Sequence, residues 1–161
     1  MLIMRMTLMF TGDEFSPQKF LESTQRPLTV VDKIEPSDTN DAFNEPYGFG
    51  SLDARNPKGI GITHYHNLDK YQLWYVKFLE EEYEELHRRG VDDIQLFTDI
   101  FYCRQCNFYM LNPDILSRIG RYKVSLPFSV YSLTPKQIKH ILKDEGYSKK
   151  KIKRIFKLQG E

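Results

Sequence analysis

Cysteine is scarce in this chain: there are two in 161 residues, three positions apart. Such a pair cannot staple a secreted disulfide framework. No run approaches the roughly 18 apolar residues a membrane-spanning helix needs, and the mean hydropathy is −0.53. That excludes a transmembrane helix and predicts a protein without a membrane partner. Glycine pairs occur at Gly48-x-Gly50 and Gly59-x-Gly61, but neither has the third glycine and helix start of a phosphate cradle. G-x-S-x-G and H-E-x-x-H are absent. The apolar opening is interrupted by Arg5 and is followed by no small-residue cleavage site, so no signal peptide is expected. The expected location is the cytoplasm.

What is abundant is aromatic. The 11 Phe and 10 Tyr argue against intrinsic disorder. At this length a domain buries about two-thirds of its unfolded surface, enough for one core and a small appendage. Leu2, Met4, Met6, Leu8 and Phe10 alternate with Arg5 and Thr7, the period of a strand with one buried face. Ser16 before Pro17 reads as a helix start, and Pro27 closes that short helix. Residues 35–61 are rich in Pro and Gly and read as one long loop, a place where function often sits. The aromatic and branched run 71–78 predicts a central strand, with Trp74 buried at its middle. Leu79, Tyr83 and Leu86 then predict an amphipathic helix with an acidic face, stopped by Gly90.

Residues 94–102 are apolar on both faces and predict an internal strand. A turn near Arg104 would lead into a hairpin strand over 106–111, and Asn112-Pro113-Asp114 starts another helix. Residues 124–130 alternate in a last strand, which Pro127 confines to an edge or a bulge. The predicted class is α+β: a mixed, mainly antiparallel sheet packed with two or three helices, plus a C-terminal helical hairpin. The expected organisation is a 1–133 domain with a 134–161 appendage.

Charge is distributed unevenly. Residues 134–161 hold 9 of the 23 Lys and Arg but 3 of the 22 Asp and Glu. Thr134, Pro135 and Gln137 form a capping box. Ile138, Ile141 and Leu142, then Ile152, Ile155 and Phe156, make two short apolar stripes. Helices of about ten residues do not stand alone in water, so the hairpin must dock. The acidic face at 80–85 is one expected dock. The alternative use of the tail is nucleic-acid contact through Lys149, Lys150, Lys151, Lys153, Arg154 and Lys157.

Chemistry-bearing residues are few. Cys103-x-x-Cys106 with His64 and His66 could make a Cys2His2 zinc site, but there is no second C-x-x-C and no H-x3–5-H. A thioredoxin-like motif would open a helix, which this one does not. The paired acids Asp13-Glu14 and Asp92-Asp93 sit at turns and are expected to be solvated. No catalytic residue and no cofactor is therefore expected. The expected partner-binding residues are Tyr47 and Phe49 in the long loop and His64, Tyr65 and His66 just after it. An enzyme working from the His64–His66 loop is a further alternative.

Residues 99–131 resemble the signature half of the bacterial domain-of-unknown-function family four-two-seven-nine. Cys106, Asn107, Phe108, Asn112, Pro113 and Tyr131 carry the resemblance. Residues 10–20 are similar to that family's opening strand-to-helix step, and 73–78 to its tryptophan strand. The resemblance spans about residues 3–132. It leaves out the basic hairpin, and residues 36–58 form a longer loop than the family's. It implies a small bacterial α+β protein with no established catalytic residues to carry over, some of whose relatives are immunity-protein-like. The functional expectation is thus a non-catalytic protein-binding domain, of the immunity or antitoxin kind. A nucleic-acid accessory protein using the tail is the alternative.

Overall fold

The computed structural model describes residues 1–104, 111–158 and 160. Strand β1 (Leu2–Gly12) lies inside a six-stranded sheet. Helix α1 (Pro17–Ser23) follows, with the Ser16 side chain accepting from the Lys19 N–H as its N-cap. Next come β2 (Thr29–Ile34), the small hairpin β3 (Thr39–Asn40) and β4 (Glu45–Pro46), β5 (Gly50–Arg55) and β6 (Gly61–Ile62). The expected long loop at 35–61 is therefore corrected: it contains β5, a strand inside the sheet. Its short alternation, with Leu52 and Ala54 buried, is hidden in sequence by the polar residues between them.

Helix α2 (Leu68–Arg88) overturns the strand expected at 71–78. Tyr71, Gln72, Tyr75, Val76, Phe78, Leu79 and Leu86 are its buried positions, a spacing of three and four rather than two. Aromatic bulk suggested a strand; the period over the whole 21 residues belongs to one helix. Asn67 caps its start, and Gly90, at φ +85°, ends it. Trp74 is half-buried on the helix flank, stacked on Phe78 at 5.7 Å between ring centroids.

The remaining elements are β7 (Asp93–Tyr102), α3 (Pro113–Ile119), β8 (Phe128–Ser132), α4 (Pro135–Asp144) and α5 (Lys149–Leu158). The hairpin strand expected at 106–111 falls mostly outside the described residues. The strand order is β2-β5-β1-β7-β8, with β6 also on β1. All pairings in this sheet are antiparallel except β7 with β8. The class is α+β with a mixed, mostly antiparallel sheet and C-terminal helices, as the sequence predicts. Strand β8 does lie at the edge, immediately after Pro127.

The sheet separates two cores. On one face Leu2, Met4, Met6, Leu8 and Phe10 meet α1, α2 and α3. On the other, Ile3, Ile60, Ile62, Phe101 and Cys103 meet Ile138, Leu142, Ile152, Ile155 and Phe156 of the hairpin. The hairpin thus docks through its apolar stripes, but not against residues 80–85. Those acids tie α2 to its own layer. Arg118 makes a two-pronged bond to Glu80 at 2.7 and 2.6 Å, Arg26 pairs with Glu81, and Thr24 donates to Glu82.

A buried polar device closes a gap in the sheet. Strand β5 pairs with β1 from Leu8 onward and β6 only at Ile3 and Met4, so Met6 has no strand opposite on that side. Two tyrosines of α2 replace it. The Met6 N–H donates to Tyr71 Oη at 3.0 Å, and Tyr75 Oη donates to the Met6 carbonyl at 2.6 Å. Tyr71 Oη also donates to the Gly59 carbonyl, and the Asn56 N–H donates to Tyr75 Oη.

Burial pushes the Tyr71 phenol up to about 12 and the Tyr75 phenol well above its ordinary value. An unfolded tyrosine ionises near pH ~10. Above that the unfolded state gives up protons that the folded state keeps, so stability falls as pH rises. The urea midpoint is expected to be insensitive to these groups below pH ~10 and to decline between about 10 and 12. A flat midpoint across that window in titrated urea melts would contradict the buried assignment.

Candidate functional site

The residues expected to bind a partner do not form one surface. Tyr47 and Phe49 pack edge to face, 5.8 Å apart, just before β5. Tyr65 and His66 lie in the turn after β6, in contact with Tyr147 of the hairpin at 6.5 and 6.3 Å. Gly50 sits opposite Gly12, whereas Ile62 sits opposite Ile3. The two groups therefore lie at opposite ends of β1, about 30 Å apart along an extended strand. Sequence proximity around a supposed loop hid that separation.

His64 is exposed with φ +57°, and His66 is half-buried. Burial, then Lys58 and Lys151, push the His66 imidazole below its ordinary value. Among the described residues neither ring hydrogen-bonds a nucleophilic side chain. Cys103 is buried in the hairpin core, and Cys106 lies outside the described residues. Among the described residues no group of three His, Cys, Asp or Glu could hold a metal. Nor, among the described residues, is any helix long and apolar enough to cross a membrane.

The cations of the tail are all solvent-facing. Lys149, Lys150, Lys151, Lys153, Arg154 and Lys157 are exposed while Ile152, Ile155 and Phe156 of the same helix are buried. Lys151 reaches over the Tyr147 ring at 5.9 Å. Among the described residues, none of the nine basic side chains of the hairpin makes an ion pair.

Another feature stands out between the sheet edge and α4. A groove of about 780 Å³ runs there, with Phe101, Tyr131, Leu133 and Ile141 as its apolar lining. Its floor is set by local chemistry on both sides. Phe101 near the end of β7 stacks on Tyr131 of β8, centroids 5.2 Å apart and 18° from parallel. Arg5 lies 4.9 Å from the Phe101 ring centre and pairs with Asp99 at 3.0 Å and Glu145 at 3.8 Å, tying sheet to hairpin. The Thr134 capping box fixes the start of α4 beside β8: the Thr134 hydroxyl accepts from the Gln137 N–H, and Gln137 Oε1 accepts from the Thr134 N–H. Lys136, Lys139 and Lys143 rim the groove. At i, i+3 and i+7 they occupy one stripe of the helix.

The strand itself is unusually apolar for an edge. Phe128, Val130 and Tyr131 are 46, 56 and 43 % exposed. Sequence reasoning read 124–130 as an alternating strand that Pro127 confines to an edge or a bulge, without foreseeing an exposed apolar edge. The available signal was apolar character on both faces beside a proline, combined with the lysine stripe from Lys136 to Lys143. Of the residues that carry the family resemblance, Asn112 caps α3 and Tyr131 lines the groove, while Cys106, Asn107 and Phe108 lie outside the described residues. No family model matches the chain, and no curated protein or solved structure matches it significantly.

Proposed function

We propose that this chain is a non-catalytic protein-binding domain that engages its partner at the groove between β8 and α4. The observation that carries the reading is the apolar groove lined by Phe101, Tyr131, Leu133 and Ile141, at an edge strand whose Phe128 and Val130 are also exposed, on the other face of the sheet. Soluble proteins seldom leave such a patch uncovered unless something binds it. The resemblance to a bacterial family with immunity-protein-like members gives the partner's character: a toxin-like protein that this chain neutralises by covering it. Cytoplasmic residence is part of the same reading.

A second reading rests on a separate observation, the nine exposed cations of the hairpin, which make no ion pair among the described residues. A surface of that kind binds phosphate backbones without sequence preference.

One experiment weighs both. Crosslinked partners from the native host are compared for the wild type and Ile141→Asp, and the protein recovered is purified and rebound at defined stoichiometry. The expected result is a one-to-one complex that Ile141→Asp weakens by about tenfold or more, about 1.4 kcal/mol, measured well below the melting temperature of the variant because Ile141 also packs against the hairpin core. Retention of DNA or RNA by the full chain that weakens steeply with salt, and that vanishes on replacing Lys149, Lys150, Lys151 and Lys153 with Gln, would instead select the second reading. A partner whose affinity ignores Ile141 would remove the groove from the account.

A further inference from the structure

Among the described residues, strand β8 has one paired and one open side. The Thr98 N–H donates to the Pro127 carbonyl, the Leu96 N–H donates to the Ser125 carbonyl, and the Leu133 N–H donates to the Tyr102 carbonyl. The odd-numbered residues thus face β7. In a parallel ladder the alternate residues face the other way. The N–H and C=O groups of Phe128, Val130 and Ser132 therefore point out from the sheet edge. Exposed edges of this kind are templates for another strand, and proteins commonly block them with inward-pointing charge, proline or a covering segment. Here Pro127 precedes the strand and no charged residue lies within Phe128–Ser132.

From this edge and its lysine rim we infer that the segment bound by the groove is an acidic, extended chain that adds a strand to β8. This rests on the protein-binding reading above. The added strand gains main-chain hydrogen bonds from Phe128, Val130 and Ser132, and its alternate side chains fall to opposite faces. One set meets the apolar groove beside Tyr131 and Ile141. Carboxylates within that set come within reach of Lys136, Lys139 and Lys143, which recur over about 10 Å of helix, while the alternate apolar set lies on the face of Phe128 and Val130. An extended chain repeats a same-face side chain every ~6.6 Å, so two acidic residues two apart match the rise of about 6 Å from Lys139 to Lys143.

The charge rim also argues against a second copy of this chain. Pairing β8 with β8 about a two-fold axis would bring both sets of Lys136, Lys139 and Lys143 to one seam, where like charges repel. The chain's own acids at 80, 81, 82 and 85 are held by arginine or threonine on the far face of the sheet.

The test uses the full chain and a synthetic decapeptide of alternating Glu and Val, followed by amide NMR. The expected result is saturable binding with shifts and exchange protection centred on the Phe128, Val130 and Ser132 amides. Binding should fall about tenfold or more when Lys136, Lys139 and Lys143 are all changed to Gln, and should weaken with salt. A peptide N-methylated at alternate residues along one edge should bind at least about tenfold more weakly, since it cannot complete the ladder. That control leaves the protein unaltered; Val130→Pro is the matching change on the protein side. Equal binding of the N-methylated peptide, equal binding of an alternating Lys and Val peptide, or no binding at millimolar concentration would each overturn strand addition. The protein-binding reading would survive any of these if the purified partner still depended on Ile141.

Discussion

Gly12→Ala is expected to destabilise the protein by about 3 kcal/mol or more, at the upper end of what overpacking does. A Cβ at Gly12 would lie 1.8 Å from the Gly90 carbonyl oxygen and 2.9 Å from its carbon. These are backbone atoms, so no side-chain rotation relieves the clash. Gly90 cannot retreat easily. It sits at φ +85° where α2 ends, and the neighbouring Asp92 N–H donates to the Thr11 carbonyl at 2.9 Å. At about 2–4 °C per kcal/mol for a chain of this size, the melting temperature should fall by roughly 6–12 °C. Gly120→Ala is the control: its φ is −62° and its nearest neighbour would be 3.3 Å away. Calorimetry showing equal losses for the two would refute the close approach at Gly12.

Tyr75→Phe should cost about 2–4 kcal/mol, because it strands two buried backbone groups, each worth about 1–3 kcal/mol when unsatisfied. The Met6 carbonyl loses its 2.6 Å donor and the Asn56 N–H loses its acceptor. Volume barely changes, so a cavity cannot explain the loss. Tyr71 cannot stand in, since its hydroxyl already serves Met6 N–H and the Gly59 carbonyl. The two hydroxyls lie 3.2 Å apart, and a double-mutant cycle with Tyr71→Phe should show coupling above about 0.5 kcal/mol. Urea denaturation giving Tyr75→Phe a loss below about 0.5 kcal/mol would mean that water or another group fills the gap.

Much of this fold is legible in short signals. The alternation in β1, the Ser16-Pro17 and Asn112-Pro113 caps, the capping box at Thr134 and the apolar stripes of the hairpin all act locally. Each lies where the sequence puts it. The failures have a physical reason as well. Residues 71–78 are bulky enough for a strand, and the deciding period appears only when Gln72, whose burial nothing local foretells, is counted with the buried set. Strand β5 is short and polar on alternate positions, and its burial comes from β1 and β2 on either side rather than from its own residues. The groove is harder still. Phe101, Tyr131 and Ile141 belong to three elements, and only the docking of the hairpin brings them together.

The placement of β1 has a kinetic consequence. Its longest ladder is with β7, and the Arg5–Asp99 pair within that ladder is 94 residues apart along the chain. Closing so distant a contact requires a large loss of chain freedom before any ladder bond is gained. Folding is therefore set by topology and should be slow for a domain of this size, in the millisecond-to-second range typical of sheets built from distant strands. Until β7 arrives, β1 is an apolar strand with an open side, and an intermediate in that state is the species most exposed to aggregation during refolding.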